Sequence, residues 1–472
     1  MVKLDLPDIQ GIIARGYGNL RAACYVLLAI DDSAAAKAWL GALADAITTA
    51  EARPELTALN IAFTPTGLLK LGLGPDVLVL FSNEFSATMT TPHRSRILGD
   101  VGDSAPERWI WGGPTTTSVD LVLLLFARDD ATLTNLYDPY ASTFGTNGLR
   151  LLQKLETVDL GDKEHFGFHD GVSQPVIDGL GRTGPSRDVI SAGEVILGYA
   201  NEYRRFTDRP TIKQSADPHH ILPANPEGTG DGDLGRNGTY LVFRQLRQDV
   251  RGFWRFLDQA TKNPDNSSNP EARVRLAAKF VGRWPSGAPL VLAPDHDEPK
   301  LANANDFGYF HPDAQGLRCP IGSHVRRSNP RDSLDPNPGS PESVAVGKRH
   351  RLLRRGREYG NPVPLAELLS DSQSTVADDD RGLHFICLAA NINRQFEFIQ
   401  HTWINNPKFD GLYDDPDPLL GVHGESGSIF VEQATPVRKR TTDLPQFVSV
   451  VGGAYFFLPG IRAIRYLEKV GR

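Results

Sequence analysis

Arg21-Ala22-Ala23-Cys24-Tyr25-Val26-Leu27-Leu28-Ala29-Ile30-Asp31-Asp32 is the stretch on which the fold turns. Its apolar run has strand length and stops at two aspartates. It therefore reads as a β-strand over 21–30, with Asp31 or Asp32 as N-cap of an Ala-rich helix over 32–49. A second strand follows at 57–63. Thr64 or Thr66 then caps a short helix through Leu71, and 75–84 reads as helical. Residues 119–127 are a nearly continuous apolar strand, a helix starts at Asp130, and 149–157 is a strand. Strand-helix-strand-strand-helix-strand is the ferredoxin-like order.

A Gly/Pro/Asp-rich connection runs from about 161 to 237. It contains Gly228-Thr229-Gly230-Asp231-Gly232-Asp233, which lacks the ligand spacing and closing glutamate of a calcium loop and reads as a solvated turn. The second half repeats the element order without repeating the sequence: a strand at 238–245, helices at 250–261 and 270–284, a long irregular excursion, a strand at 381–390, a helix at 393–405, a strand at 447–458 and a helix at 461–470. The expected fold class is α+β, with two ferredoxin-like domains and antiparallel sheets, divided as 1–190 and 191–472. The second domain carries a large insertion.

Composition bounds the function. The chain has 472 residues, 40% hydrophobic and 23% charged, with 45 Gly and 34 Pro, which describes a soluble globular protein with long ordered loops. The net charge is -7, and basic residues gather only between Lys348 and Arg357, so nucleic acid is not an expected partner. The three cysteines, Cys24, Cys319 and Cys387, show no pairing pattern and no zinc spacing. That suits a reducing compartment, and with only 2 Met it also suits a protein that handles oxidants. No secretory h-region, twin arginine or membrane-length apolar run is present, so a cytoplasmic location without membrane contact is expected.

Three segments carry chemistry. In Arg318-Cys319-Pro320-Ile321-Gly322-Ser323-His324-Val325-Arg326-Arg327-Ser328-Asn329-Pro330-Arg331, one histidine lies among four arginines. Neighbouring guanidinium charges disfavour imidazolium, and neutral imidazole binds metal. Several arginines also suit a carboxylated ligand. A metal that brings its own carboxylates is haem. In Phe166-Gly167-Phe168-His169-Asp170-Gly171, glycines allow close approach to a flat ligand and phenylalanines form a dry wall. A carboxylate there is expected to have a raised pKa and to exchange protons near neutrality. In His350-Arg351-Leu352-Leu353-Arg354-Arg355-Gly356-Arg357-Glu358-Tyr359-Gly360, leucines and arginines interleave as on a strand with one apolar edge.

These segments resemble the dye-decolorizing peroxidases, in the longer-chain subgroup. Gly167–Gly171 matches the family's GxxDG motif. The segment from His324 to Arg331 is similar to its proximal histidine segment, and Leu353-Arg354-Arg355-Gly356 to its distal arginine segment. Similar stretches at Asp8–Gly11, Trp109–Gly113, 383–400 and 452–459 keep the family's order along the whole chain. The resemblance implies halves of the dimeric α+β barrel type, with haem b held mainly by the C-terminal half. His324 would be the axial iron ligand, and Asp170 and Arg354 the catalytic pair. Arg331 would meet a haem propionate, with Arg326 a second candidate and Arg318 and Arg327 solvated. Phe168, Gly171, Leu388 and Phe398 would line the cofactor. Arg354 is chosen over Arg355 because it follows the Leu352-Leu353 pair and precedes Gly356 by two.

The implied partners are hydrogen peroxide and small aromatic or dye reductants, with the chain a monomer or homodimer. Asp170 would move a proton between the peroxide oxygens while Arg354 stabilises separating charge. Bulky dyes would deliver electrons through a surface Trp or Tyr, for which Trp254, Trp284, Trp403, Tyr359 and Tyr455 are available. The group orienting His324 stays open between Asn391, where some relatives carry an acid, and Glu397. The other histidines read as core or solvated groups. A haem-binding or iron-releasing protein is the alternative reading, and a non-haem module for anionic ligands a more distant one.

Overall fold

The computed structural model describes residues 3–370, 380–424 and 427–471. Strand β1 (Ala22–Ile30) is buried at every residue and lies between β3 (Leu121–Ala127) and β4 (Leu149–Glu156). Strand β2 (Thr57–Phe63) pairs with the other edge of β3, giving the antiparallel order β4-β1-β3-β2. This is the ferredoxin-like arrangement expected from the element order. Asp32 is the N-cap of α1 (Ser33–Leu43), accepting the N–H groups of Ala34 and Ala35 at 2.8 and 3.1 Å. The helix stops before residue 49 because the chain there is drawn to the N-terminal segment: Gly11 N–H donates to Thr48 O and Ala50 N–H to Ile9 O. Asp129 caps α2 (Asp130–Ala141) in the same way as Asp32.

The second half repeats the topology. Strand β5 (Thr239–Gln248) lies between β8 (Gly382–Ala389) and β9 (Val448–Leu458). The short strands β6 (Leu353–Arg354) and β7 (Arg357–Tyr359) pair with the far edge of β8. The two halves meet where Phe457 of β9 pairs with Phe63 of β2, so nine strands form one antiparallel sheet. Helices α3 (Val250–Ala260), α4 (Pro270–Val281) and, at the C-terminus, Ile461–Lys469 bury apolar stripes against one face. The other face holds a second core that includes Leu353, Ile386 and Leu388.

Two expectations needed revision. Residues 393–405 wind as π-helical segments, Asn393–Glu397 and Ile399–Ile404, instead of a regular α-helix. A hairpin of Ser428–Glu432 and Lys439–Leu444 had gone unrecognised, its second strand being almost wholly polar. The expected solvated turn holds only for exposed Gly228–Gly230, since Gly232–Asp233 pairs as a short strand with Thr211–Ile212 and Asp233 is buried against the Arg209 guanidinium at 2.6 Å. Among the described residues, no helix is long and apolar enough to cross a membrane, and no group of three or more His, Cys, Asp or Glu could hold a metal ion.

Candidate active site

His324 opens a short helix, α5 (His324–Ser328), in the C-terminal half. Its Nδ1 lies 2.9 Å from Asp417 Oδ2. The other oxygen of Asp417 accepts the N–H groups of Leu419 and Leu420 at 2.9 and 2.8 Å. The carboxylate is thus fully engaged with no exposed surface, while the His324 side chain keeps 25% exposure and its Nε2 has no hydrogen-bond partner among the described residues. Burial opposes charge on His324, but the charge and hydrogen bond of Asp417 outweigh it and raise its pKa. Burial likewise opposes charge on Asp417, which His324 and the backbone donors hold below the ordinary carboxylate value. The buried arginine neighbours Arg326 and Arg327 are engaged elsewhere, so the carboxylate of Asp417 and not the arginine run dominates the surroundings of His324.

Arg327 is fully buried, donating to the carbonyls of Gly322, Trp403, Asn406 and Asp415. It pins α5 to the segment that carries Asp417, so the expectation of a solvated Arg327 was wrong. Arg326 is buried against Asp313 at 3.2 Å and donates to Cys319 O, with its guanidinium 4.8 Å over the Tyr309 ring. That engagement removes it as a cofactor contact. Arg318 remains exposed.

Neither candidate for orienting His324 reaches it. Asn391 Oδ1 accepts the Arg394 N–H at 2.8 Å as a local cap. Glu397 is held by Arg94 and by the Tyr455 hydroxyl, the latter at 2.8 Å. Asp417 lies 93 residues after its histidine, and Asp415-Pro416-Asp417-Pro418 gave no motif to follow. The one available signal was an acid held between prolines.

Asp170 Oδ1 meets Arg354 Nη1 at 2.7 Å. The side chains keep 37% and 31% exposure although both lie deep in the molecule, so they border open internal space. Strand geometry separates the two adjacent arginines. Arg354 lies opposite Cys387 and reaches Asp170. Arg355 points through the other face to donate to Ile12 O and Ile13 O. Burial acts to raise the Asp170 pKa, but Arg354, the Gly171 N–H and His324 together bring it below the ordinary value. The expectation of a raised pKa is corrected: the guanidinium wins over the dry wall.

Glu164 shapes the loop that carries Asp170. Its carboxylate accepts Phe166 N–H and Phe168 N–H at 2.9 and 3.0 Å and Gln248 Nε2 at 3.0 Å, and burial pushes its pKa up to about 7. Phe168 is buried in the core, and Gly171 has φ +82°, a conformation that favours glycine. Leu388 is excluded as a cofactor wall, since it lies in the core on the opposite sheet face from Cys387. Leu383 and Phe385 share the Cys387 face by strand alternation. Phe398 stacks on His350 at 4.2 Å and, like Ile321, Leu352 and Leu420, packs against the cluster of Ile399, Trp403, Ile404 and Phe409.

The donor set suits haem. His324 offers one ring nitrogen with its other nitrogen held, as an axial ligand requires. Asp170 and Arg354 both act electrostatically on His324, so the three groups share one region. Arg331 has φ +57° and stacks 3.9 Å over Phe307. It donates to Asn305 and Phe307 carbonyls and to Asn305 Oδ1, yet its buried Nε has no partner. Arg283 shares Asn305 Oδ1 and the Phe307 ring, and burial lowers its pKa to about 10. Among the described residues, neither arginine forms an ion pair with a carboxylate of this chain. Two buried positive charges in that state call for an anion, and haem propionates are anions. Arg283 was missed in the sequence because it lies at a helix end with no motif around it.

The remaining candidates fall into place. Trp254, Trp284, Trp403, Tyr359 and Tyr455 are all buried, so none of them is the surface group expected to meet a dye. His165 Nε2 lies 2.8 Å from Tyr359 O and His169 Nδ1 lies 3.1 Å from Ser286 O, so both hold loops.

No protein-family model matches the chain. It is 31% identical to a dye-decolorizing peroxidase of Mycetinis scorodonius, over 99% of this chain and 88% of that one. The crystal structure of a fungal dye-decolorizing-type peroxidase from Auricularia auricula-judae superposes with a TM-score of 0.79 at 27% identity, covering 99% of this chain and 100% of that chain. A dye-decolorizing peroxidase with a heme pocket engineered for asymmetric sulfoxidation gives 0.80 at 27% identity, covering 98% and 100%. With such likeness along nearly its whole length, the chain belongs to the dye-decolorizing peroxidases and is a haem-dependent peroxidase.

Proposed function

We propose that this peroxidase binds haem b, reduces hydrogen peroxide and takes single electrons from dyes, phenols or similar donors. The single observation that carries the site assignment is that the Asp170–Arg354 pair acts electrostatically on His324, whose Nε2 has no partner among the described residues. His324 would hold the iron, and Arg331 with Arg283 would hold the propionates. When bound, haem supplies the redox chemistry: it accepts two oxidising equivalents from peroxide and returns them one at a time.

The chain's own residues supply the proton chemistry. Asp170, ionised across the working range because its pKa is lowered, takes a proton from the near oxygen of peroxide and gives it to the far oxygen. Arg354 fixes that carboxylate and stabilises negative charge on the departing oxygen. Asp417 keeps the Nδ1 proton of His324 in place, which orients the ring and raises its basicity as a ligand. Phe168 keeps the loop side dry. The unpaired, buried cysteines Cys24, Cys319 and Cys387 support a reducing, cytoplasmic setting. We retain 1–190 and 191–472 as the two structural units.

Purified protein reconstituted with haem b should show a Soret band that shifts promptly on mixing with hydrogen peroxide and recovers when a dye is bleached. A Soret band without any response to peroxide would favour a haem-binding or iron-releasing protein. Failure to bind haem would remove the reading altogether.

A further inference from the structure

On the sheet face away from Asp170 lies a cavity of about 390 Å³ that no step above uses. Its size falls within the roughly 300–1,000 Å³ of small-molecule sites. Ala14 and Tyr17 of its wall belong to the core that holds Leu353 and Leu388, on the face opposite Cys387 and Arg354. The cavity is therefore separate from the space in front of His324.

Its charge is one-sided. Arg15, Arg53 and Arg182 line it, and no Asp or Glu does. A fourth arginine lies behind the wall: a Cβ at Gly16 would sit 3.8 Å from Arg355 Cδ and Nη1. Arg355 is only 9% exposed, and its acceptors are the carbonyls of Ile12, Ile13 and Arg354. Burial, helped by the charge of Arg182, lowers its pKa to about 9, and only Tyr17 acts in the other direction. Arg15 commits one Nη to Ala50 O at 2.7 Å, and Arg53 its Nε to Asn19 Oδ1 at 3.1 Å. Among the described residues, the rest of those two forks and the whole of Arg182 have no hydrogen-bond partner, and none of the four arginines forms an ion pair with a carboxylate. The wall itself is fixed. The Tyr17 hydroxyl donates to Asn60 Oδ1 at 2.9 Å, Asn19 Nδ2 to Pro54 O at 2.9 Å and Arg357 Nη2 to Tyr17 O at 3.0 Å.

A guanidinium buried without a carboxylate carries a desolvation cost that an anion offsets. Planar forks match phosphate oxygens in pairs. Four guanidinium groups and room beyond one phosphate favour a polyanion over a small monovalent ion. We infer that this cavity binds a diphosphate group, free or ester-linked, held by Arg15, Arg53 and Arg182 over the buried charge of Arg355. No bond is made or broken there. Arg355 also donates to Arg354 O, so a filled site steadies the strand that carries Arg354. The inference goes beyond the peroxidase reading and does not depend on it.

The test is calorimetric titration of the holoenzyme with sodium pyrophosphate, at an ionic strength held constant with sodium chloride. One saturable site per chain is expected. Arg182→Gln and Arg15→Gln should each raise the dissociation constant by about tenfold or more, the weight of a lost charge-assisted hydrogen bond. Arg182 is exposed and holds nothing in place, so its replacement leaves the fold intact. Arg438→Gln, on the exposed tip of the Ser428–Leu444 hairpin, changes the net charge equally and should leave binding unaltered. A parallel titration with uridine diphosphate names the source: tighter binding than pyrophosphate marks an ester-linked ligand, weaker binding a free one. Absence of saturable binding to wild type would overturn the inference. So would an unaltered dissociation constant in both cavity variants, or equal weakening by Arg438→Gln. Citrate bound as tightly as pyrophosphate would overturn the phosphate assignment.

Discussion

Asp170 and Asp417 are the same side chain put to opposite uses. Burial works against charge on each, and in each the neighbours bring the pKa below the ordinary value. Asp417 has no exposed surface and meets three N–H donors, so both oxygens are committed. Asp170 is 37% exposed to internal space and meets two donors, the Arg354 guanidinium and the Gly171 N–H, which leaves it open to take up and release a proton. A fixed charge needs full coordination, whereas a proton carrier needs a vacancy. The structure separates these tasks by donor count more than by pKa.

The largest effect that would break this comparison is His324→Ala. It should abolish the response to peroxide and displace the Soret band, because it removes the ring nitrogen that would hold the iron. Asp170→Asn should slow the peroxide step by roughly 10²–10⁴-fold, the usual weight of a positioned acid-base group. Arg354→Leu should cost about 10²–10³-fold by removing the charge that stabilises the departing oxygen. Stopped-flow mixing measures both. Asp417→Asn should lower haem affinity or activity by about 10–100-fold and shift the iron potential upward, as read by haem titration and spectroelectrochemistry. Asn391→Ala should leave the haem spectrum and peroxide rate unchanged.

The pH dependence sharpens the same contrast. Because the Asp170 pKa is lowered, its basic form persists as pH falls below the ordinary aspartate value of about 4. The peroxide step should hold there and fail only as pH drops through the lowered pKa. Arg354 is the largest cause of that lowering, so Arg354→Leu should move the acid limb to higher pH. A limb that stayed in place would mean that the guanidinium does not set this titration.

The distal side was legible in the sequence because its residues sit in short local patterns. Gly167 and Gly171 need positive φ around Asp170, and the alternation of a strand puts Arg354 and Arg355 on opposite faces. The strands of both halves were legible from continuous apolar runs, as at β1 and β3. The proximal partner was not. Asp417 reaches His324 through tertiary packing across 93 residues, held by Arg327 and the π-helical turn before it, and no periodicity encodes that contact. Arginine function was equally hidden. In the basic run Arg326 reads as a propionate candidate and Arg327 as solvated, yet each finds carbonyl or carboxylate acceptors that only the fold assembles.

The division of labour between the two aspartates is tested most directly by the second-order rate of the peroxide-induced spectral change in Asp170→Asn, followed across acid pH beside wild type. The account predicts a fall of about 10²-fold or more and loss of the acid limb. A wild-type rate with the same acid limb would contradict it.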